Sequence, residues 1–441
     1  MLKRKIAEKL LEWKNTPNRK PLVVKGLRQC GKTYSVRQFA KEQYQNEVYL
    51  NFYENPAYKT AFSGSLEVDH LVMMLSALLG SKARFVPGET VIILDEIQFC
   101  PEARTALKFF RTDGRFDVIA TGSLLGLEGY REGGTSVPVG SETVLTMYPL
   151  DFEEFLWANG IGDEVVELLR GCLQEERPVP EAVHLKMKEL LLSYAVVGGM
   201  PDVVEAFRSR HDMNEVLEIQ RSLIASYRDD MVKYAPQHDK PLILQCFDSI
   251  PRQLGKEYKK FQYSLIRKGS TASKFSGSIQ WIVDAGIGIQ CLNVDIPELP
   301  LDGVANENEF KLYIQDMGLF VSMLEDGTQA DILQGKLTGY KGAIFENLAA
   351  DFFAKMGRKR LYYYHKDSGL EVDFIMRYKG GCTLLEIKAR TGDTKSTKTL
   401  LNHPEKYTDV AGAIKLGDYN IGRNGKMLTL PMYMGFLLRE P

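Results

Sequence analysis

The sequence has few of the residues that build metal sites and disulfide frameworks. Its six cysteines are scattered and form no C-x-x-C pair, and its six histidines are equally dispersed. This distribution argues against a zinc site and against a disulfide-stapled domain, and it suits the reducing cytoplasm in which we expect the protein. No apolar run reaches the ~18 residues that a membrane-spanning helix needs, and we predict no membrane partner.

The chain also lacks an excess of either charge. It has 56 basic residues (Lys and Arg) against 57 acidic ones (Asp and Glu), a formal net charge of −1. No global field therefore attracts nucleic acid, and any surface that binds DNA or RNA must be local. A length of 441 residues with 44% apolar content is typical of a globular protein with two or three domains.

A complete G-x-x-x-x-G-K-[ST] pattern, GLRQCGKT, occupies residues 26–33. It follows an apolar run over 21–25 that predicts a buried strand, and it precedes a predicted helix that begins near Tyr34. In this setting backbone N–H groups meet a polyphosphate at a helix N-terminus. Lys32 is predicted to contact the β- and γ-phosphates of ATP, and the Thr33 hydroxyl to coordinate Mg²⁺. The predicted ATP-binding residues are Gly26, Leu27, Arg28, Gln29, Cys30, Gly31, Lys32, Thr33 and Asp95.

A second nucleotide motif, VIILDE, occupies residues 91–96. Four apolar residues predict a buried parallel strand that ends in two acids. Asp95 is predicted to hold Mg²⁺, and Glu96 to polarise the attacking water. A third strand over 116–121 ends in the sequence TGS. Either Thr121 or Ser123 is predicted to orient the water and sense the γ-phosphate, as the residue at this place does in AAA+ ATPases, and the sequence does not choose between them.

Basic and aromatic residues alternate between positions 256 and 275. The basic ones are Lys256, Lys259, Lys260, Arg267, Lys268 and Lys274. Two short helices, an amphipathic helix over 273–285 and a glycine-led return resemble a winged helix-turn-helix. In that case the basic residues would contact DNA or RNA phosphates, with Lys274 near the start of the recognition helix. The alternative is a lid or subunit-packing domain with a solvated basic face.

Four charged residues near the C-terminus form a possible second site. Glu346 lies on a predicted helix, Asp373 on an alternating strand, and Glu386 and Lys388 on the next strand. Residues i and i+2 of a strand share a face, and a hairpin turn through 379–381 would bring Asp373 alongside. The carboxylates are predicted to hold Mg²⁺ or Mn²⁺ over a phosphodiester, while Lys388 either orients the water or neutralises the transition state. This is the arrangement of PD-(D/E)XK, or restriction-endonuclease-like, domains.

With these motifs the chain resembles a bacterial and archaeal family of AAA+ ATPases with a C-terminal PD-(D/E)XK-like domain. The resemblance extends over nearly the whole chain and includes GGMP at 198–201 and DMGL at 316–319. It implies ATP binding and hydrolysis. Many members carry Gly-Arg where this chain has Gly140 and Ser141, so an arginine that contacts ATP from that position is absent. The arginines that could contact ATP in its place are Arg104, Arg111, Arg115 and Arg131, and the sequence does not rank them.

The fold class that follows is α/β with three domains. We predict a P-loop AAA+ parallel sheet over 1–150, a helical lid with a winged-helix-like region over 151–305, and an α/β nuclease-like domain over 306–441. The predicted function is ATP hydrolysis, coupled to action on or sensing of nucleic acid, in a possible homo-oligomer. The alternative is an ATP-gated switch or scaffold whose C-terminal domain binds a partner and cleaves nothing.

Overall fold

The computed structural model forms two compact units. The first contains Lys3–Pro149 with Asp284–Gly286, and the second contains Met1–Leu2, Leu150–Val283 and Ile287–Pro441. The described residues are 2–124, 140–236, 238–337, 339–358, 360–388 and 394–439. The predicted α/β class, with an N-terminal parallel sheet, a helical middle and a C-terminal sheet, is confirmed. The division of the second unit into a middle and a C-terminal domain stays a prediction.

The first unit is built on a five-stranded parallel sheet. Its strands are β1 (Leu22–Gly26), β2 (Asn46–Asn51), β3 (Thr90–Asp95), β4 (Asp117–Ser123) and β5 (Thr143–Met147). Its helices are α1 (Ile6–Asn15), α2 (Lys32–Gln43), α3 (Val68–Leu79) and α4 (Pro101–Asp113). The sheet order is β2-β3-β4-β1-β5, so β4 separates the strand before the loop from the acidic strand. All carboxyl ends meet at one edge, where ligands of open parallel sheets bind.

The second unit begins with helices. They are α5 (Phe152–Ala158), α6 (Asp163–Glu175), α7 (Glu181–Val197), α8 (Pro201–Arg210), α9 (Met213–Tyr234), α10 (Lys240–Leu254), α11 (Tyr263–Ile266) and α12 (Ala272–Asp284). The helix α5 starts with a complete capping box, in which the side chains of Asp151 and Glu154 each accept a backbone N–H of the other. Among the described residues, no helix is long and apolar enough to cross a membrane.

An eight-stranded sheet forms the rest of the second unit. Its strands are β6 (Gly288–Val294), β7 (Ala305–Ile314), β8 (Leu361–His365), β9 (Glu371–Tyr378), β10 (Gly381–Lys388), β11 (Val410–Gly417), β12 (Gly422–Asn424) and β13 (Met427–Pro431). Its helices are α13 (Met317–Ser322), α14 (Thr328–Leu333), α15 (Lys341–Lys355) and α16 (Lys395–Asn402). The sheet order is β12-β13-β11-β10-β9-β8-β6-β7.

Two features of this sheet bear on the sequence predictions. The predicted hairpin through residues 379–381 is present, because β9 and β10 pair antiparallel on either side of it. The strand that returns after α12 is β6, which pairs with β7 and also with β8. The return strand of the winged-helix-like segment is therefore part of the large sheet. The identity of that segment as a winged helix stays a prediction.

The GGMP and DMGL motifs meet in a buried polar network. Asp316 accepts the backbone N–H of Gly199 at 2.7 Å, and Lys355 lies 2.9 Å from Asp351 and 3.4 Å from Asp316. A side chain on Gly199 would place its Cβ 2.0 Å from the Leu150 carbonyl oxygen, so only glycine fits there. The GGMP and DMGL motifs therefore have a structural role, because their contacts hold α7, α13 and α15 together.

Candidate functional site

The loop over residues 26–33 has the predicted strand–loop–helix setting, between β1 and α2. Gly31 caps α2 with a φ of 95°, a left-handed conformation that favours glycine. The Lys32 ammonium is buried and donates to the carbonyl oxygens of Gly26, at 3.2 Å, and Leu27, at 2.7 Å. Within the loop, Leu27 and Cys30 are buried while Arg28 and Gln29 are exposed. The loop thus presents Lys32 at the N-terminus of a twelve-residue helix.

Asp95, at the end of β3, accepts hydrogen bonds from side chains of several neighbouring elements. The Thr33 hydroxyl donates to its two carboxylate oxygens at 3.0 and 3.1 Å, which joins the loop to the acidic strand. The Tyr49 hydroxyl donates at 2.7 Å and the Asn51 amide at 3.3 Å. The Thr121 hydroxyl also donates to Asp95. These side-chain donors are all neutral.

Tyr49 and Asn51 are site residues that the sequence analysis missed. They lie at the end of β2, where Asn51 stands directly opposite Asp95 in the parallel register. The Arg37 guanidinium stacks 4.2 Å from the Tyr49 ring centre and bonds to Glu47 at 2.7 Å, which fixes the ring. The available signal was the polar groups of Tyr49 and Asn51 at the end of a strand, since parallel strands end at a common edge.

Glu96 follows Asp95 in a left-handed conformation, with φ of 52° and ψ of 47°. Such backbone geometry is uncommon for a residue other than glycine and is concentrated at functional sites. Its carboxylate accepts a hydrogen bond from the Gln98 amide. Burial raises the pKa of Glu96, the Lys32 charge opposes that shift, and the Asp95 charge adds to it. A carboxyl with a raised pKa is suited to general-base chemistry near neutral pH.

Thr121 and Ser123 occupy different positions, and these positions do not identify which residue senses the γ-phosphate. Thr121 is fully buried and donates to Asp95. Ser123 ends β4 and stands opposite Gly26 of β1, where the loop begins. Which of the two senses a γ-phosphate stays open.

The arginines considered as substitutes have partners away from the loop. Arg104 pairs with Glu142 at 2.9 Å, and Arg111 donates to the Gly140 carbonyl oxygen at 2.7 Å. Arg115 pairs with Asp69 at 2.6 Å and Asp113 at 2.7 Å. The fourth, Arg131, lies outside the described residues.

The four C-terminal residues lie on α15, β9 and β10, as predicted. Two lysines lie against the first of these residues, Glu346. The buried Glu346 carboxylate is 2.6 Å from the Lys259 ammonium and 3.6 Å from that of Lys311, and it accepts the Tyr313 hydroxyl at 3.2 Å. Burial opposes ionisation of Glu346, but Lys311 and Lys259 outweigh it and lower its pKa. The two ammonium groups therefore balance the Glu346 charge from within the chain.

Lys311 is the residue of this cluster that the sequence did not reveal. It is fully buried on β7 and also bonds to Glu371 at 2.9 Å. Burial alone would lower the pKa of Lys311, but the carboxylates of Glu346, Glu371 and Asp373 reverse the shift and raise it. Lys311 is thus a charged lysine inside the cluster.

Asp373, Glu386 and Lys388 belong to the same electrostatic cluster. Asp373 accepts the Ile387 backbone N–H at 2.7 Å, and Lys388 bonds to Glu386 at 2.7 Å. Burial, with the charges of Glu346 and Glu386, raises the pKa of Asp373 to about 7. Among the described residues, no group of three His, Cys, Asp or Glu side chains is arranged to hold a metal ion. The metal site predicted at Glu346, Asp373 and Glu386 stays a prediction.

The basic segment before α12 divides into paired and exposed residues. Lys259 pairs with Glu346, and Lys260 with Glu309 at 2.6 Å. Lys274 is the third residue of α12 and is exposed, as are Lys256, Arg267 and Lys268. The exposed residues fit the predicted phosphate contacts, whereas Lys259 has a structural partner.

Comparison with known families finds a described match for the N-terminal part. Residues 18–156 match a family model described as an AAA domain, in agreement with the five-stranded sheet. Residues 188–330 and 341–433 match models described as domains of unknown function, DUF8612 and DUF4143. Neither description supports the nuclease-like prediction. A search of curated proteins found no match.

Several solved structures resemble the chain at low sequence identity. The ORC2 protein of Aeropyrum pernix in its ADPNP–ADP complexes shares 15% identity over 80% of this chain and 95% of its own, with a TM-score of 0.39. The A. pernix ORC1 protein in complex with DNA shares 16% over 75% and 91%, with a TM-score of 0.25. AMPPCP-bound DnaA of Aquifex aeolicus shares 10% over 64% and 87%, with a TM-score of 0.24. These TM-scores are low, and nothing about this chain's ligands follows from them.

Proposed function

We propose that the first unit binds ATP with Mg²⁺ and hydrolyses it. The observation that carries this proposal is the contact between Thr33 and Asp95, at 3.0 and 3.1 Å. A hydroxyl and a carboxylate are the hard oxygen ligands that Mg²⁺ prefers when it is bound with a nucleotide. Asp95 has only neutral side-chain donors among the described contacts, so its negative charge is available to a cation.

The residues around this contact are proposed to hold the phosphates, activate the attacking water and position Asp95. Lys32 provides a cation at the helix N-terminus, where the phosphates of ATP would lie. Glu96, with its raised pKa, is the proposed general base for the attacking water, which Thr121 or Ser123 orients. When bound, Mg²⁺ would neutralise charge on the phosphates. Tyr49, Asn51 and Thr121 keep Asp95 in position.

The arginine that completes such a site is proposed to come from a second copy of the chain. Of the four candidate arginines, the three that the structure describes, Arg104, Arg111 and Arg115, have partners elsewhere in the first unit, which supports a homo-oligomer with a shared site. Sedimentation analysis with and without an ATP analogue would test this. An active species that is monomeric in both conditions would contradict it.

Loss of the loop lysine tests the ATP proposal. Lys32→Ala removes the cation nearest the phosphates, and truncating a buried charged partner costs roughly 2–5 kcal/mol, so we expect a fluorescent ATP analogue to bind at least tenfold more weakly. Lys41→Ala is the matched control, because Lys41 is an exposed lysine on the same helix. Equal binding by the two variants would place the nucleotide elsewhere.

For the second unit we propose sensing of nucleic acid without cleavage. The supporting observation is that Lys259 and Lys311 already balance Glu346, the position a metal would otherwise neutralise. A metal bound by Glu346 would have to displace these ammonium groups from a buried carboxylate. Assays for Mg²⁺- or Mn²⁺-dependent nicking of DNA and RNA test this, with Asp373→Ala as the control. Nicking by the wild type that is lost in Asp373→Ala would support the nuclease-like prediction instead.

The other open function is an ATP-gated switch that recruits a protein partner. The two readings differ in whether nucleic acid changes ATP turnover. We expect single-stranded DNA or RNA to stimulate turnover by the intact chain. Turnover that is insensitive to both, in a chain that binds neither, would favour the switch.

A further inference from the structure

A cavity of the second unit lies where β8 begins and β9 ends. Its volume is about 180 Å³, and its walls come from β8, β9, the end of α15 and the loop between β6 and β7. A cavity of ~150 Å³ between apolar side chains is enough to hold a benzene molecule. There is therefore room for one ring-sized apolar group. The apolar lining includes Leu299, Phe353, Leu361, Phe374, Ile375 and Met376.

Three arginines and one acid line the same cavity. Arg358, Arg360 and Arg377 carry positive charges, and Asp302 is the one acidic residue of the lining that the structure describes. Three guanidinium groups thus surround the cavity against a single carboxylate. A concave surface with this charge imbalance concentrates anions and disfavours cations.

Two of the arginines are available to a ligand. Among the described residues, the exposed Arg377 side chain has no hydrogen bond or ion pair. Arg360 lies 3.6 Å from Asp302 and 3.9 Å from Glu307, and the side chains of both acids are mostly exposed. Ion pairs between exposed side chains are weak, so an anion in the cavity can compete with these acids for Arg360.

The third arginine helps to hold the cavity in shape. Arg358 donates to the backbone carbonyl oxygens of Arg377 and Leu438, each at 3.3 Å, and so ties the strand that carries Arg377 to a second segment. The Tyr362 hydroxyl donates to Asp302, which fixes the opposite wall. The walls are therefore already connected, and binding would order little besides the two exposed guanidinium groups.

We propose that this cavity binds a small organic anion, with a ring-sized apolar body against Phe353 and Phe374 and a carboxylate or phosphate on Arg377 and Arg360. The planar guanidinium fork matches both anions, because it donates two parallel hydrogen bonds. The described lining contains no serine, threonine, cysteine, histidine or lysine, so the site is suited to binding rather than to covalent chemistry. This proposal requires neither the ATPase nor the nucleic-acid sensing proposed above.

Isothermal titration calorimetry on the full-length chain tests the site with four probes. Phenyl phosphate and phenylacetate carry both the ring and the charge, benzyl alcohol carries only the ring, and inorganic phosphate carries only the charge. We expect the better of the two ringed anions to bind with a Kd of about 1 mM or tighter, and each half-ligand to bind about tenfold more weakly or worse. The ringed anion that binds better identifies the preferred group as phosphate or carboxylate.

Two substitutions assign the bound probe to the cavity. Arg377→Gln removes an exposed charge and should weaken the ringed anions about tenfold or more while leaving benzyl alcohol unchanged. Leu299→Trp places an indole in the cavity and should abolish binding of every ringed probe. Arg252→Gln is the matched control, because Arg252 is an exposed arginine on α10. A thermal melt of each variant checks the fold, and the exposed Arg377 carries the test if Leu299→Trp does not fold.

Several results would overturn the site. They are no binding of either ringed anion by the wild type, unchanged binding in Arg377→Gln, or equal affinities for phenyl phosphate and inorganic phosphate. Binding that is lost in Lys32→Ala but kept in Arg377→Gln would place the probe at the loop of the first unit and would also overturn it. The ATP proposal is judged on ATP binding by Lys32→Ala, so either proposal can fail while the other holds.

Discussion

The two units each bury a carboxylate among hydrogen-bond donors, and the donors differ in charge. Asp95 accepts from the hydroxyls of Thr33, Tyr49 and Thr121 and from an amide. Glu346 accepts from one hydroxyl and lies against the ammonium groups of two lysines. Neutral donors fix a carboxylate without cancelling its charge, whereas lysines do both.

The difference indicates what each carboxylate can still bind. A buried charge is stable only when it is paired or coordinates a metal. Asp95 therefore fits a cation that arrives with a ligand, and Glu346 is already compensated within the chain. A buried carboxylate at a sheet edge of the first unit is therefore proposed as a transient metal site, whereas one that lies against buried lysine in the second unit forms a permanent ion pair.

Removing Glu96, the proposed base beside Asp95, should have the largest effect on activity. Glu96→Gln keeps the shape of the side chain but cannot accept the proton, so ATP turnover should fall about 10²- to 10⁴-fold while ATP affinity is kept. Steady-state turnover and equilibrium binding of an ATP analogue measure the two effects. Glu54→Gln, at an exposed position, is the control. Undiminished turnover in Glu96→Gln would assign the base to another residue.

Removing the buried lysine should have the largest effect on stability. Lys311→Met leaves Glu346 and Glu371 short of a cation, and breaking a buried pair from one side costs about 3–5 kcal/mol. Urea unfolding, followed by a signal of the second unit, measures the loss. Lys260→Met breaks the half-exposed pair with Glu309 and should change the unfolding free energy by about 1 kcal/mol or less. Equal effects of the two variants would contradict the permanent ion pair.

The pH dependence of stability should reveal Asp373. Its pKa rises from 3.8 to about 7 on folding, so the folded state holds the proton more tightly than the unfolded state. The stabilisation is complete below the unfolded pKa and is lost as pH rises through the folded value, with a slope of at most about 1.4 kcal/mol per pH unit. Urea unfolding between acid and neutral pH should show this slope in the wild type. Asp373→Asn should flatten it, whereas the exposed Asp367→Asn should not.

The smallest expected effect concerns Tyr49. Tyr49→Phe removes one neutral hydrogen bond to Asp95, a loss of about 1 kcal/mol, so roughly fivefold more Mg²⁺ should be needed for half-maximal ATP turnover. Tyr34→Phe, at an exposed position of α2, is the control. An unchanged Mg²⁺ requirement would show that Tyr49 does not position Asp95.

The sequence predicted the parts of these sites that follow from local pattern. Lys32 and Thr33 were predictable because a strand, a glycine-rich loop and a helix fix their geometry within a short stretch of chain. Asp95 was predictable from a separate local pattern, a run of apolar residues that ends in two acids. Tyr49 was not, because its contact with Asp95 depends on which strand lies beside β3. Lys311 was missed for a similar reason, since a lysine that follows the polar residues 306–309 of a strand suggests an exposed face. Its burial follows only from the packing of β7 against α15.

We propose that, of the two buried carboxylates Asp95 and Glu346, only Asp95 binds a divalent cation. Titration of Mn²⁺ into the chain with a non-hydrolysable ATP analogue, followed by electron paramagnetic resonance, tests it directly. We expect Mn²⁺ binding that is lost in Asp95→Asn and unchanged in Asp373→Ala. Mn²⁺ that stays bound in Asp95→Asn and is released by a further Asp373→Ala substitution would contradict the claim and place a metal in the second unit.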